Sequence, residues 1–141
     1  MRKIVLLAGL LACLPAAAFA KVALTQGQAP GGTKFTLHFR VTDGCKGGPT
    51  TMISIAMPKA VINVDPLFVD GWTSQELHSV AAGDTAAWRD GSLAAKASGD
   101  FPVAMVLPKK AGPIAFTATQ FCGKAQEKST TILNIAPVPQ Q

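Results

Sequence analysis

Residues 43–51, Asp43-Gly44-Cys45-Lys46-Gly47-Gly48-Pro49-Thr50-Thr51, separate two strand-like runs. Before them, Phe35, Leu37, Phe39 and Val41 fall on one face of residues 33–41. Lys34, Thr36, His38 and Arg40 fall on the other. A period of two marks a strand with one face on a core. After them, residues 52–57 read as a second, more apolar strand. Glycines free the backbone of the intervening segment, and Pro49 restricts Gly48. Cys45 in this segment and Cys122 near the far end are the two cysteines beyond residue 20.

The chain of 141 residues is long enough for one domain with a real core. Residues 1–20 read as a secretory signal peptide. Arg2 and Lys3 form the positive region, residues 4–14 the apolar region, and Ala18-Phe19-Ala20 the small-x-small cleavage pattern. Cleavage there makes Lys21 the mature amino terminus, leaves residues 21–141 as the domain, and sends it to the periplasm or another extracytoplasmic space. The apolar run is too short for a conventional membrane span, so no stable span is expected after cleavage. A second reading treats Leu10-Leu11-Ala12-Cys13 as a lipid-attachment box with Cys13 lipidated. Without Arg2 and Lys3, the 13 basic residues fall to 11 against 8 acidic, a formal +3. These charges are scattered. Lys109-Lys110, the one adjacent basic pair of the mature chain, sits in a turn with no interleaved aromatics, which argues against a nucleic-acid groove.

An oxidising compartment favours a disulfide between Cys45 and Cys122. A two-thiolate metal site and a pair of free thiols remain as alternatives, the first without any C-x-x-C unit to support it. The other strand candidates are residues 21–24, 61–64, 67–69, 73–80, 85–89, 101–107, 114–121 and 130–135. Between them lie the glycine- and proline-rich link 25–32, a reversal at 81–84, an Asp90-Gly91 turn, a loop or weak helical turn over 92–100, the 108–113 hairpin turn and a polar turn over 123–129. Prolines keep residues 136–141 out of a sheet. Seven to nine short strands with no convincing long helix predict an all-β sandwich. The absence of tyrosine removes any tyrosine corner.

Catalysis has little support. Most acidic residues adjoin glycine, proline or a turn, where aspartate bonds the local backbone. No G-x-S-x-G, Walker loop or His-x-x-x-His unit occurs, so an enzyme is not expected. His38 lies on the polar side of its strand and reads as solvated. Trp88 reads as a core anchor. Trp72, after Asp70-Gly71, reads equally as core or as the wall of a site. Met52, Met57 and Met105 offer soft ligands for copper, but on separate strands they read as core fillers.

Taken together, Lys21-Val22-Ala23-Leu24, Gly44-Cys45, Pro49-Thr50-Thr51, residues 61–66 and Gly71-Trp72 resemble the YcnI-like family. These are exported domains, first described as a domain of unknown function and later associated with copper. Trp88, the strand at Phe101 and Phe121-Cys122-Gly123 follow in the same order, so the likeness covers nearly all of the mature chain. It implies an immunoglobulin- or fibronectin-like β-sandwich. It also implies copper bound by the amine and imidazole of an amino-terminal histidine, assisted by acidic residues and with a tryptophan nearby. This chain departs from that pattern. Lys21 stands in the histidine's place, Thr25 stands where many relatives carry glutamate, and residues 130–135 lack a tryptophan found in many relatives. Lysine supplies an amine but no imidazole. The expectation is therefore a non-enzymatic copper-binding or copper-transfer protein with a degenerate amino-terminal site. Its metal ligands are sought among Lys21, His38, His78 and the methionines, and its partner is a membrane or periplasmic copper protein. The alternative is a periplasmic partner-binding sandwich that has lost copper, with residues 45–51 and Trp72 as its interaction end. An enzyme acting on a cell-envelope substrate ranks third.

Overall fold

The alternating run folds as strand β3 (Lys34–Thr42), with Leu37, Phe39 and Val41 fully buried and His38 and Arg40 turned outward. The structure, a computed structural model, describes residues 21–138. The expected signal peptide and cleavage after Ala20, the lipid-attachment reading of Cys13 and residues 139–141 lie outside the described residues. Within them the chain forms ten strands. Besides β3 these are β1 (Val22–Leu24), β2 (Gln28–Pro30), β4 (Met52–Ala56), β5 (Ile62–Pro66), β6 (Thr73–Leu77), β7 (Thr85–Arg89), β8 (Ser98–Val106), β9 (Gly112–Cys122) and β10 (Ala125–Ala136). One sheet has the order β1-β3-β8-β5 and the other β2-β10-β9-β4-β7-β6. All pairs are antiparallel except β2 with β10. Among the described residues no helix is long and apolar enough to cross a membrane.

The inward positions of the two sheets meet in one core. Phe39 of the four-stranded sheet meets Phe116 of the six-stranded sheet edge-on, with ring centroids 5.5 Å apart. Phe101 on β8 meets Trp88 on β7 at 5.3 Å and Trp72 at 5.1 Å. Edge-to-face pairs suit the ring quadrupole and add to the gain from burial. Trp88 is wholly buried, and its Nε1–H donates to the Leu67 carbonyl at 2.9 Å. Trp72 is half-buried and lies flat over Gly91, where an added Cβ would stand 2.1 Å from Trp72 Cδ2. Gly91→Ala is therefore expected to destabilise by about 1–3 kcal/mol through overpacking. Chemical denaturation checks this, and the same change in a Trp72→Ala background is expected to cost much less because the clashing ring is gone.

Cys45 and Cys122 form a disulfide with Cα atoms 5.5 Å apart. It fastens a single 3₁₀ turn (Cys45–Gly47) to the end of β9. Beside it, the Gln120 amide donates to the Asp43 carbonyl and to Thr50 Oγ1, and both Gln120 and Thr50 are fully buried. Paired backbone hydrogen bonds between Thr50 and Leu93 at 2.8 Å tie the same loop to residues 92–97.

Several boundaries differ from those expected. The 25–32 link contains β2, whose buried Ala29 pairs with Ile135. The 92–100 segment gives its last three residues to β8 and its Leu93 to the bridge with Thr50. β10 begins at Ala125 rather than at residue 130, after a two-residue turn at Gly123-Lys124. Its first half carries no large apolar side chain because it runs past the core, so hydrophobic alternation could not reveal it.

Candidate functional site

The antiparallel register gathers the β4–β5, β6–β7 and β8–β9 turns at one pole, and the disulfide loop and the β9–β10 turn at the other. The first pole carries a convergence of metal-ligating side chains. β6 is the outer strand of its sheet, and Glu76 pairs in register with Ala86. His78 follows two positions later. The turn then returns the chain to Asp84, immediately before β7. Asp84 Oδ1 accepts from the Ser79 N–H at 3.3 Å, the Gly83 N–H donates to the Ser79 carbonyl at 2.8 Å, and the Asp84 carbonyl accepts from the Met57 N–H at 2.9 Å. Gly83 has φ +92°, and a Cβ there would lie 2.5 Å from the Met57 carbonyl oxygen. The turn thus needs a residue free of both the steric and the conformational penalty.

His78 Nδ1 lies 2.6 Å from Asp84 Oδ1, with the His78 side chain 69% and the Asp84 side chain 12% exposed. Ligand atoms of Glu76, His78 and Asp84 all fall within 4.8 Å of one another. Beside them opens a hollow of about 160 Å³ whose lining includes Lys59, Val61, Ile62 and Val80. One imidazole and two carboxylates form a nitrogen–oxygen donor set suited to divalent copper or zinc. The same contacts also organise the turn, since Asp84 caps the backbone of Ser79.

The sequence-derived candidates are not brought together. Lys21 lies at the disulfide pole, its Nζ 2.8 Å from a Glu127 carboxylate oxygen and 3.0 Å from the Gly44 carbonyl oxygen. His38 lies on the outer face of the four-stranded sheet with Nδ1 2.7 Å from Asp100 Oδ2. Thr42, whose N–H bonds the Lys21 carbonyl, is four positions further along β3, about 13 Å at strand rise. Of these candidates, among the described residues, only His78 falls in a cluster of three metal-ligating side chains. Met57 and Met105 are buried in the core, and Met52 pairs with Phe121 at the other end of β4. Trp72 packs against Phe101 at the pole opposite His78. Glu76 and Asp84 were not singled out from the sequence. The available signal was Glu76-x-His78, which places both side chains on one face of a strand, followed by the reversal at 81–84.

A family model described as "Domain of unknown function (DUF1775)" matches residues 21–132. The chain belongs to the DUF1775 family. This agrees with the YcnI-like resemblance, which rests on the same residues. No curated protein matches the DUF1775 chain by sequence. Among solved structures, an uncharacterized protein from Nocardia farcinica with an immunoglobulin-like fold superposes with a TM-score of 0.70 at 17% identity, covering 82% of this chain and 97% of that one. The cohesin module of a Clostridium perfringens family 33 glycoside hydrolase gives 0.58 at 11% identity over 84% of this chain and 99% of its own. The seventh ScaB type I cohesin of Pseudobacteroides cellulosolvens gives 0.52 at 11% identity over 84% and 93%. At these identities the likeness establishes the immunoglobulin-like sandwich and nothing finer.

Proposed function

We propose that this DUF1775 domain is an exported, non-enzymatic copper-handling protein that holds its cargo at Glu76, His78 and Asp84. The observation that carries the reading is the convergence of those three side chains beside an open hollow. The amino-terminal site implied by the YcnI-like resemblance does not fit this chain, because Lys21 brings no imidazole and its Nζ is already bonded to Glu127 and Gly44. For a nitrogen–oxygen site, the affinity order of divalent ions peaks at copper. In such a site His78 would supply an imidazole nitrogen and Glu76 and Asp84 carboxylate oxygens, each ligating in its deprotonated form.

Titration of Cu(II) into protein whose amino terminus has been verified by mass spectrometry tests this. Wild type is expected to bind one equivalent, His78→Ala to bind at least about tenfold more weakly, and His38→Ala to match wild type. His78 is largely exposed, so its removal is expected to leave the fold intact, which circular dichroism checks. Equal binding by wild type and His78→Ala would refute the site.

A further inference from the structure

We propose that the pole carrying the His78 hollow is the docking face for a protein partner with a carboxylate-rich surface. That this partner delivers or removes the ion rests on the copper reading; the docking face itself does not.

The turns gathered at this pole, residues 31–33, 58–61, 78–84 and 107–111, carry Lys59, Lys109 and Lys110 against a single acidic residue, Asp84. Asp84 is nearly buried and bonded to His78, so it presents little negative charge outward. All three lysines are exposed, and among the described residues none of them takes part in an ion pair. At the other pole the cations are partly neutralised, as in Lys21 with Glu127 and Arg89 with Asp90. Glu76, at the end of β6, is exposed beside His78, so the three lysines stand against one outward carboxylate and this pole keeps a positive excess.

Shape and apolar surface point to the same face. Lys59 lines the His78 hollow. The next residue, Ala60, lines a second hollow of about 280 Å³ with Pro108, Lys110 and Ile114. The two depressions thus adjoin across one turn. The Lys109 stem passes beside Gly32. Ile62 is 53% and Val80 86% exposed at the edge of the first hollow. A polar cationic rim around a small apolar contact is the layout of a transient protein interface, in which rim charges steer encounter. An anionic membrane is the less favoured occupant. This pole's turns carry no tryptophan or phenylalanine to seat at a lipid interface, and three lysines alone bind such a surface weakly.

The test uses the metal-free mature chain, labelled with ¹⁵N, and an octaglutamate peptide as the probe. Amide shifts are expected to move at residues 58–62, 78–84 and 108–112, with affinity falling about tenfold or more on raising the salt from low to above-physiological strength. Lys59→Glu, Lys109→Glu and Lys110→Glu combined are expected to abolish the footprint without lowering the melting temperature. His78→Ala is expected to retain it. A footprint at the disulfide pole, no saturable shifts, or a footprint that survives the triple reversal would overturn the proposal. So would vesicles of phosphatidylcholine and phosphatidylglycerol competing the peptide off. If copper binding proves independent of His78 while the peptide still maps to these turns, the docking face stands and only its cargo falls.

Discussion

Replacing both Cys45 and Cys122 by alanine is expected to lower the stability of the folded chain by about 4–5 kcal/mol, the chain-entropy value for a loop of this length. The bridge spans 77 positions, so its removal restores a large loop-closure entropy to the unfolded chain. For a domain of this size the melting temperature is expected to fall by roughly 15 °C. The loss has a local component as well. The bridge holds the 43–51 loop where Gln120 can donate to Asp43 and Thr50, and where Thr50 can pair with Leu93. Freed, that loop exposes Thr50 and leaves the buried Gln120 amide without acceptors, which costs more than an ordinary surface bond. Denaturant melts of wild type and the double variant measure the difference. A change below about 1 kcal/mol, smaller than almost any native bridge contributes, would mean that the loop's hydrogen bonds hold it unaided.

Trp88→Ala is expected to cost about 3–5 kcal/mol, the range for truncating a large buried aromatic. The residue has no exposed surface, contacts Phe101 edge-on, and sits at the same point in the sheet as Ile53 and Ser74 on its neighbours. The Leu67 carbonyl also loses its donor, a further penalty if water does not reach it. Against a total stability of about 5–15 kcal/mol for a typical domain, this change brings the chain close to unfolding. Trp88→Phe keeps an aromatic partner for Phe101 and is expected to lose about half as much, mainly through volume and the missing Nε1–H. Equilibrium denaturation orders the three proteins. A Phe variant as damaged as the Ala variant would show that the hydrogen bond to Leu67, rather than the packing, dominates.

The legible parts of this fold are those in which burial imposes a pattern on residue type. β3 alternates because one of its faces lies on the core and the other in solvent, and Phe39, Leu37 and Val41 record that directly. The disulfide was legible because only two cysteines lie beyond residue 20. β2 was not, since three residues ending in proline look like a link until β10 supplies a parallel partner. The first half of β10 was not either, because it borders Lys21 and solvent rather than the apolar interior. The proposed metal ligands fall between these cases. Glu76 and His78 share a strand face by spacing alone, but Asp84 reaches them only through the geometry of the 78–84 turn, which a sequence pattern does not encode. Tertiary proximity of scattered polar residues leaves no periodic trace.

That placement of the ion is the central claim, and anomalous diffraction tests it most directly. Crystals of the mature chain, its amino terminus verified, would be soaked with Cu(II) and measured at the copper absorption edge. One strong peak is expected about 2.0–2.2 Å from a His78 ring nitrogen and from a carboxylate oxygen of Asp84 or Glu76, at ordinary ligand distances. A peak at the Lys21 amine beside Glu127, or between His38 and Asp100, with none at His78, would contradict it.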